Sequence, residues 1–338
     1  MSSKKSANNY LKYAAVAFLA IFLVSAAFLL LDAWEKGLGR FPEITTEGNF
    51  VEYNGETYVP KENLETFLLL GLDRYEGSDS ADSHESGIQT DFLMLFVFNN
   101  ETKQCTAIHI NRDTMTNVNR LSVGGTTIVD TYTRQIALAY NYVNDDNDKI
   151  RCRNTKDSVE YLLKGVKVDH YLSVTMDAVA ASCDIVDGVE LTVLDDFTGI
   201  DETLVKGETV TLRGEQALRY VRSRYGLEDS SNSTRMLRQQ QYITALYDKI
   251  KSKLESDDEF ILHFLAKIDE YIVYDSSDKK MQQFAEKFED YEFLGIKDIT
   301  GETKPGEEFL EFYPDEDSLW KTVLDLFYKP TKSERARS

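Results

Sequence analysis

The chain of 338 residues is poor in proline, cysteine and basic residues, and each scarcity excludes a class of protein. Its five prolines and eighteen glycines exclude a collagen-like or low-complexity chain. The 38 lysines and arginines are outnumbered by 58 aspartates and glutamates, which gives a formal net charge of −20. Since binding of duplex nucleic acid rests on a broad basic face, nucleic acid is excluded as a general partner.

Cysteine is too rare to build a metal site or a disulfide framework. The three cysteines are Cys105, Cys152 and Cys183, and no pair has the CxxC spacing. An odd number of widely separated cysteines is typical of small buried thiols. A disulfide bond between one pair, formed outside the cell, remains an alternative at this point.

One long apolar run, residues 13–31, predicts a membrane segment. Its 19 uncharged residues would extend about 28 Å as a helix, which is enough to cross a bilayer core. Lysines precede the run and acidic residues follow it, so residues 1–12 are expected in the cytoplasm and the rest of the chain outside the cell. A cleaved signal peptide is the alternative, but the apolar run continues past the Val24-Ser25-Ala26 stretch that resembles a cleavage site.

The remainder predicts a linker over residues 32–50, an α/β domain over 51–330 and a tail over 331–338. Asn54-Gly55 within VEYNGETYV predicts a type I′ hairpin. Near-continuous apolar stretches predict buried strands at 66–72, 92–98, 105–110, 170–175 and 190–194, with further strands near 293–299 and 308–313. Helices are predicted at 131–143, 155–164, 176–186 and 235–254.

The stretch RYVRSRYGLEDSSNSTRMLRQQQ, residues 219–241, holds five arginines and no lysine in a strongly acidic protein. Residues 220–225 are predicted to be extended, which would point Arg222 and Arg224 the same way. Arg235, Arg238 and Gln239 follow at the predicted start of a helix, where cations oppose the helix dipole. An anion held there would remove this conflict, and the guanidinium group suits bidentate contact with phosphate.

Strand ends supply further candidates for this anion site. Arg112 follows one predicted buried strand, Asp73 follows another, and Asp91 precedes a third. Two carboxylates beside several arginines predict a divalent cation, normally Mg²⁺, that bridges phosphate oxygens. The competing interpretation is that each arginine pairs with a surface carboxylate, and for Arg219, four residues after Glu215, this interpretation is preferred.

Five motifs in order resemble the LytR-CpsA-Psr family: LLLGLD (68–73), TDFLML (90–95), INRDT (110–114), GEQALRYVRSR (214–224) and RMLRQQQ (235–241), behind an N-terminal anchor. The resemblance implies a three-layer α/β/α domain with a central mixed sheet, preceded by one transmembrane helix. It also implies a phosphotransferase outside the membrane that moves a glycopolymer phosphate, such as a teichoic acid or capsular polysaccharide, from a polyprenyl-pyrophosphate carrier to a peptidoglycan hydroxyl.

By this resemblance, Arg112, Arg222, Arg224 and Arg238 contact the pyrophosphate, and Arg235 and Gln239 support them. Asp73 and Asp91 hold Mg²⁺ or Mn²⁺, and Asp73 is also a candidate base for the acceptor hydroxyl. A polyprenyl chain requires an apolar groove, for which the 131–143 helix with Ile136, Ala137 and Ala139 is a candidate, although ordinary core packing is the preferred interpretation of these three residues.

Three positions depart from the family pattern. Tyr75 stands where an arginine is common, Phe92 where serine or threonine follows the aspartate, and Asn232 where an aspartate is frequent. These departures keep open the alternative of a module that binds or regulates wall precursors without catalysis. Hydrolysis of the same lipid pyrophosphate by water is a second alternative, which the same arginines would serve.

Overall fold

The computed structural model describes residues 50–74, 88–257, 259–277, 279–281, 283, 290–307 and 309–331. The predicted cytoplasmic segment, the membrane segment 13–31, nearly all of the linker, Tyr75 and most of the tail lie outside these residues. No helix within the described ranges is long and apolar enough to cross a membrane.

Fifteen strands and six α-helices have both ends within the described part of the chain. The strands are β1 (Val51–Tyr53), β2 (Glu56–Pro60), β3 (Leu64–Leu72), β4 (Thr90–Asn99), β5 (Gln104–Ile110), β6 (Met115–Leu121), β7 (Ile128–Gln135), β8 (His170–Val174), β9 (Val189–Thr192), β10 (Thr209–Leu212), β11 (Ile272–Tyr274), β12 (Glu292–Asp298), β13 (Gly301–Pro305), β14 (Leu310–Pro314) and β15 (Tyr328–Pro330). The helices are α1 (Asp148–Leu162), α2 (Met176–Ile185), α3 (Gly214–Arg222), α4 (Asn232–Leu254), α5 (Phe260–Ile268) and α6 (Glu316–Phe327). Short 3₁₀ helices lie at Ile136–Tyr140 and Asp269–Tyr271.

The chain divides into two compact units, residues 1–60 with 329–338 and residues 61–328. The described part of the first unit contains the predicted hairpin, in which β1 pairs antiparallel with β2. Asn54 and Gly55 at its turn have φ angles of 52° and 82°, as a type I′ turn requires. In the same unit, the Thr331 N–H donates to the Thr57 carbonyl over 2.8 Å.

A six-stranded sheet forms the centre of the second unit. Its order is β11-β8-β3-β4-β5-β12. The β8/β3 and β5/β12 pairs are parallel, whereas β11/β8, β3/β4 and β4/β5 are antiparallel. The predicted mixed α/β domain with a central mixed sheet is therefore confirmed.

Both faces of this sheet are covered, which explains the near-continuous apolar character of its strands. On one face, Leu68, Leu70 and Leu93 are completely buried, and Tyr171 of β8 donates its hydroxyl hydrogen to a carbonyl of α1 at Lys149. On the other face, Phe67, Met94 and Phe96 pack with residues of α4 and α5. All three cysteines are buried free thiols within this packing.

Two sequence predictions of local structure are wrong, and one predicted strand lies outside the central sheet. Residues 131–143 do not form a helix, because strand β7 pairs with β6 up to Gln135 and a short 3₁₀ helix follows. Residues 220–225 are not extended, because α3 continues to Arg222. The strand predicted at 190–194 exists as β9, but it pairs only with β10 in a separate two-stranded ribbon of the described chain.

Candidate functional site

The candidate site lies where several strands of the central sheet end. Strands β3, β5 and β8 finish at one edge, and antiparallel β4 starts there. Asp73 follows β3 directly, Arg112 lies two residues beyond β5, and Asp91 is the second residue of β4. Three of the predicted site residues therefore reach the same edge, as expected for ligand sites of open α/β sheets.

Asp91 is shared by two arginines that are far apart in the sequence. Arg112 Nη1 donates to Asp91 Oδ1, and Arg235 Nη1 donates to Asp91 Oδ2 over 3.1 Å. The second terminal nitrogen of Arg112 donates to Gln89 Oε1. Both guanidinium groups are withdrawn from solvent, with side chains only 16% and 5% exposed. Arg112 and Arg235 thus converge on one carboxylate.

Asn232 fixes the direction of Arg235. Its Oδ1 accepts from Nε and Nη2 of Arg235 over 3.1 and 2.6 Å, and its Nδ2 donates to Asn111 Oδ1 over 2.8 Å. Helix α4 begins after Ser231, whose hydroxyl caps the helix by accepting from the Thr234 N–H. Asn232 therefore connects the first turn of α4 to the loop that carries Arg112, although it stands where the family pattern favours an aspartate.

Burial shifts the pKa of two charged groups in this cluster. It raises the pKa of the Asp113 carboxyl, although the neighbouring Arg112, Arg235 and Arg224 act in the opposite direction. It lowers the pKa of the Arg235 guanidinium, while the Asp91 carboxylate opposes that change. An arginine remains charged at any physiological pH, so burial leaves Arg235 as a positive charge with little water around it. Such a charge attracts an anion more strongly than an exposed one would.

A cavity of about 80 Å³ opens beside the shared carboxylate. Its charged and amide lining residues are Asp91, Arg222, Arg235 and Gln239, for which we call it the polar cavity, and most of its other lining residues are apolar. Arg222 is the last residue of α3 and is exposed. The two predicted site arginines Arg222 and Arg235 therefore face one space, together with the predicted supporting residue Gln239.

Asp73 and Arg224 are two further candidates for the site. Asp73 accepts from the Gln89 N–H through Oδ1 over 2.7 Å, which ties the end of β3 to the segment before β4. Arg224 donates to the Tyr225 hydroxyl over 2.7 Å and its charge acts on Asp113 and Arg235.

Arg238 is directed away from this cluster. Its side chain is 1% exposed. Its Nε donates to the Tyr220 carbonyl over 3.0 Å, Nη2 donates to the Ser223 carbonyl, and Nη1 pairs with Asp195. The guanidinium carbon also lies 5.5 Å from the centre of the Phe197 ring. These contacts join α4 to the end of α3 and hold the turn that carries Arg222 and Arg224, so the predicted contact of Arg238 with pyrophosphate stays a prediction.

An apolar cavity of about 220 Å³ adjoins the polar one, between the sheet and helices α2, α4 and α5. The two cavities share the lining residues Leu69, Val174, Val179, Tyr242 and Ile243. The prediction that Ile136, Ala137 and Ala139 line an apolar groove is wrong. In the described structure these residues are fully buried, and they line neither of these two cavities. They pack in the core, as the alternative interpretation held.

The magnesium site predicted at Asp73 and Asp91 stays a prediction. No cluster of three or more His, Cys, Asp or Glu side chains suited to a metal occurs in the described ranges. Mg²⁺ commonly takes only one or two protein carboxylates and completes its shell with substrate phosphate and water. Asp73 and Asp91, linked through Gln89 and Arg112, offer that number, provided that Asp91 exchanges an arginine contact for the metal.

Sequence reasoning assigned no supporting role to several residues that organise the site. Gln89, Asp113, Asp195 and Asn232 are buried or half-buried polar groups that touch the arginines. Asp113 and Asn232 lie within or next to the quoted motifs, so their proximity was a usable signal. No local pattern distinguishes Asp195, which lies in the loop between β9 and β10.

Comparison with known proteins gives one family and a set of similar folds. The model described as the LytR_cpsA_psr family matches residues 45–320. No curated protein matches the chain.

Solved structures of similar fold come from several bacteria. TagT of Bacillus subtilis is 22% identical, with 78% of this chain and 90% of that chain covered and a TM-score of 0.57. A second structure, of TagT bound to LI-WTA, has 22% identity, the same coverage and a TM-score of 0.58. A Streptococcus agalactiae protein is 20% identical, with 78% and 86% covered and a TM-score of 0.60. At these identities the likeness shows a common fold.

Proposed function

Because the chain belongs to the LytR_cpsA_psr family, we propose that it is a cell-wall glycopolymer transferase. Its donor is a glycopolymer linked to a polyprenyl pyrophosphate, and its acceptor is a hydroxyl group of peptidoglycan. The observation that carries this proposal is the polar cavity, lined by Arg222 and Arg235, which shares one wall with a larger apolar cavity. The complex of TagT with wall teichoic acid supports a glycopolymer as the substrate class.

The two adjoining cavities suit an amphiphilic ligand. A pyrophosphate concentrates charge on oxygens around two phosphorus atoms, and guanidinium groups bind such oxygens in bidentate geometry. The apolar cavity of about 220 Å³ accommodates hydrocarbon next to that charge. A soluble nucleotide or sugar phosphate would fill the first cavity and leave the second without a partner.

The reaction transfers a phosphoryl group. The acceptor oxygen attacks the phosphorus that carries the glycopolymer, the bond from that phosphorus to the bridging oxygen breaks, and the polyprenyl phosphate leaves. The acceptor hydroxyl loses its proton, for which Asp73 is a candidate base. Arg112, Arg222 and Arg235 neutralise the oxygen charges and position the donor, and such positioning and electrostatic stabilisation account for most catalysis of phosphoryl transfer. Arg224 adds charge nearby, and Gln239 orients the donor within the cavity.

A magnesium ion, held by Asp73 and Asp91, would supply additional positive charge to the phosphate oxygens when bound. The residues of the chain itself provide the orientation. Arg235 is directed by Asn232, and Arg112 is directed by Gln89 and Asp91. These contacts order both guanidinium groups before the donor binds.

From the predicted membrane segment 13–31 we infer that this activity lies outside the cell. A single-pass anchor with a cytoplasmic N-terminus would keep the domain close to the lipid carrier in the membrane and to peptidoglycan. This localisation is part of the proposal.

One experiment separates this function from its alternatives. The full chain in detergent micelles is given a radiolabelled polyprenyl-pyrophosphate glycan, Mg²⁺ and short peptidoglycan oligomers. Label attached covalently to the oligomers supports the transferase. Release of free glycan phosphate supports hydrolysis instead, and retention of intact lipid without turnover supports a binding or regulatory module.

A further inference from the structure

Thr175 carries a buried hydroxyl group that no part of the described chain satisfies. The residue follows β8 and is 7% exposed. Its Oγ1 has no hydrogen-bond partner among the residues that the structure describes. Buried hydroxyl groups are normally paired, because removal from water without a partner costs free energy. An unpaired hydroxyl of this kind therefore requires an explanation.

Local structure does not use this hydroxyl. Thr175 is the N-cap residue of α2, a position where a threonine side chain usually accepts from a backbone N–H of the first turn. In this helix the side chain makes no capping bond. The backbone of Thr175 is fully engaged, since its N–H donates to Tyr271 and its carbonyl accepts from Ala178. The side chain alone is left without a role in the fold.

The position of Thr175 relates it to the candidate site. Thr175 is one of the residues that line the polar cavity, together with Arg222, Arg235 and Gln239. The preceding residue, Val174, lines both the polar and the apolar cavity, and it pairs with Gly71 of β3. Thr175 thus lies on the polar side of the junction between the two cavities.

We propose that the Thr175 hydroxyl donates a hydrogen bond to the phosphate that is attached directly to the polyprenyl chain. The inference rests on the proposed function, because a lipid chain in the apolar cavity brings its own phosphate to this junction. A hydroxyl that donates to an oxygen of that phosphate stabilises the leaving group as its charge develops. The contact also favours a phosphorylated lipid over a neutral one.

The test compares three changes at Thr175 with one matched control. Thr175→Val keeps the shape and removes the hydroxyl, Thr175→Ser keeps the hydroxyl, and Thr175→Ala replaces the first variant if valine prevents folding. Thr90→Val is the control, because Thr90 is also completely buried with an unpaired Oγ1 among the described residues but lines neither cavity. Binding of geranylgeranyl monophosphate to the full chain in detergent micelles is measured by calorimetry, with inorganic phosphate and geranylgeraniol as comparison ligands. Urea unfolding of each ligand-free variant is measured in parallel.

The expected result is a loss of affinity without a loss of stability. A hydrogen bond to a charged group corresponds to about 10- to 100-fold in affinity, so Thr175→Val is expected to bind the monophosphate that much more weakly. Its urea midpoint is expected to equal or exceed that of the wild type. Thr175→Ser is expected to restore affinity, Thr90→Val to bind normally, and geranylgeraniol to be insensitive to all changes.

Two other outcomes would refute different parts of the reasoning. If Thr175→Val binds the monophosphate as tightly as the wild type, or loses only stability, the assignment of Thr175 is wrong and the proposed function stands. If the wild type binds neither the monophosphate nor a polyprenyl pyrophosphate, the proposed function itself fails. An equal loss of inorganic phosphate affinity shows that the contact is made to phosphate oxygens rather than through the lipid, which supports the assignment.

Discussion

Replacement of Arg238 by lysine tests whether this arginine holds the structure together rather than binding a ligand. The guanidinium group makes three contacts in different directions, to Tyr220, Ser223 and Asp195. A lysine ammonium is a single point at the end of its chain and cannot span them. We expect it to keep one contact and to leave about two buried acceptors unpaired.

The size of the expected loss of stability follows from the burial of these side chains. The Arg238 side chain is 1% exposed and that of Asp195 is 16% exposed. Each buried acceptor left unpaired costs about 1–3 kcal/mol, so Arg238→Lys should lower the free energy of unfolding by about 2–6 kcal/mol. Urea denaturation measures this change as a lower midpoint with an unchanged slope.

Arg219→Lys provides the matched control. Arg219 lies in the same helix that Arg238 holds, and it pairs with Asp201 over 3.0 Å, but its side chain is 44% exposed. An exposed pair contributes about 1 kcal/mol or less, so this variant should unfold almost as the wild type does. If Arg238→Lys changes stability as little as Arg219→Lys, while affinity for geranylgeranyl pyrophosphate falls sharply, Arg238 is a ligand contact and the structural argument is wrong.

Three further results are expected. Arg222→Lys should lose most transferase activity while keeping its charge, because an ammonium cannot reproduce bidentate contact with phosphate; unchanged turnover would contradict that contact. Chelation by EDTA should slow the transfer, and a full rate in chelator would remove the metal role from Asp73 and Asp91. Burial, with a smaller effect of Arg235, lowers the pKa of His109 from 6.5 to about 3, so the unfolded chain takes up a proton at this residue before the folded one does. Stability from this residue is complete above pH 6.5 and is lost as pH falls toward 3; between pH 7 and 5 the wild type should lose about 2 kcal/mol more than His109→Gln in urea unfolding, and equal losses would contradict the shift.

The strands of the central sheet could be predicted from sequence because burial on both faces demands continuous apolar residues. This signal located β3, β4, β5 and β8, and with them the edge where Asp73, Asp91 and Arg112 lie. Sequence reasoning failed for residues 131–143, where Ile136, Ala137 and Ala139 suggested a helix. Pairing of β7 with β6 decides the conformation up to Gln135. Such pairing joins segments in space and leaves no local pattern.

The arginines show the limit of reasoning from helical spacing. A spacing of three and four residues predicts that Arg235, Arg238 and Gln239 share one helix face, yet residues three apart differ by about 60° around the axis. That difference is enough to direct Arg235 toward Asp91 and Arg238 toward Asp195. Gln239 follows Arg235 into the cavity. The sequence therefore identified the helix and the residue types, whereas the partners in other segments determined which side chains share a space.

The Asp91 carboxylate, which Arg112 and Arg235 both contact, competes with any incoming anion for these two arginines. Any anion that enters must replace a negative charge already present, so a chloride or acetate ion gains nothing by the exchange. A multiply charged phosphate brings more charge and more acceptor oxygens than Asp91 provides. In a medium rich in small salts, the guanidinium groups of the protein can thus stay ordered without binding small anions.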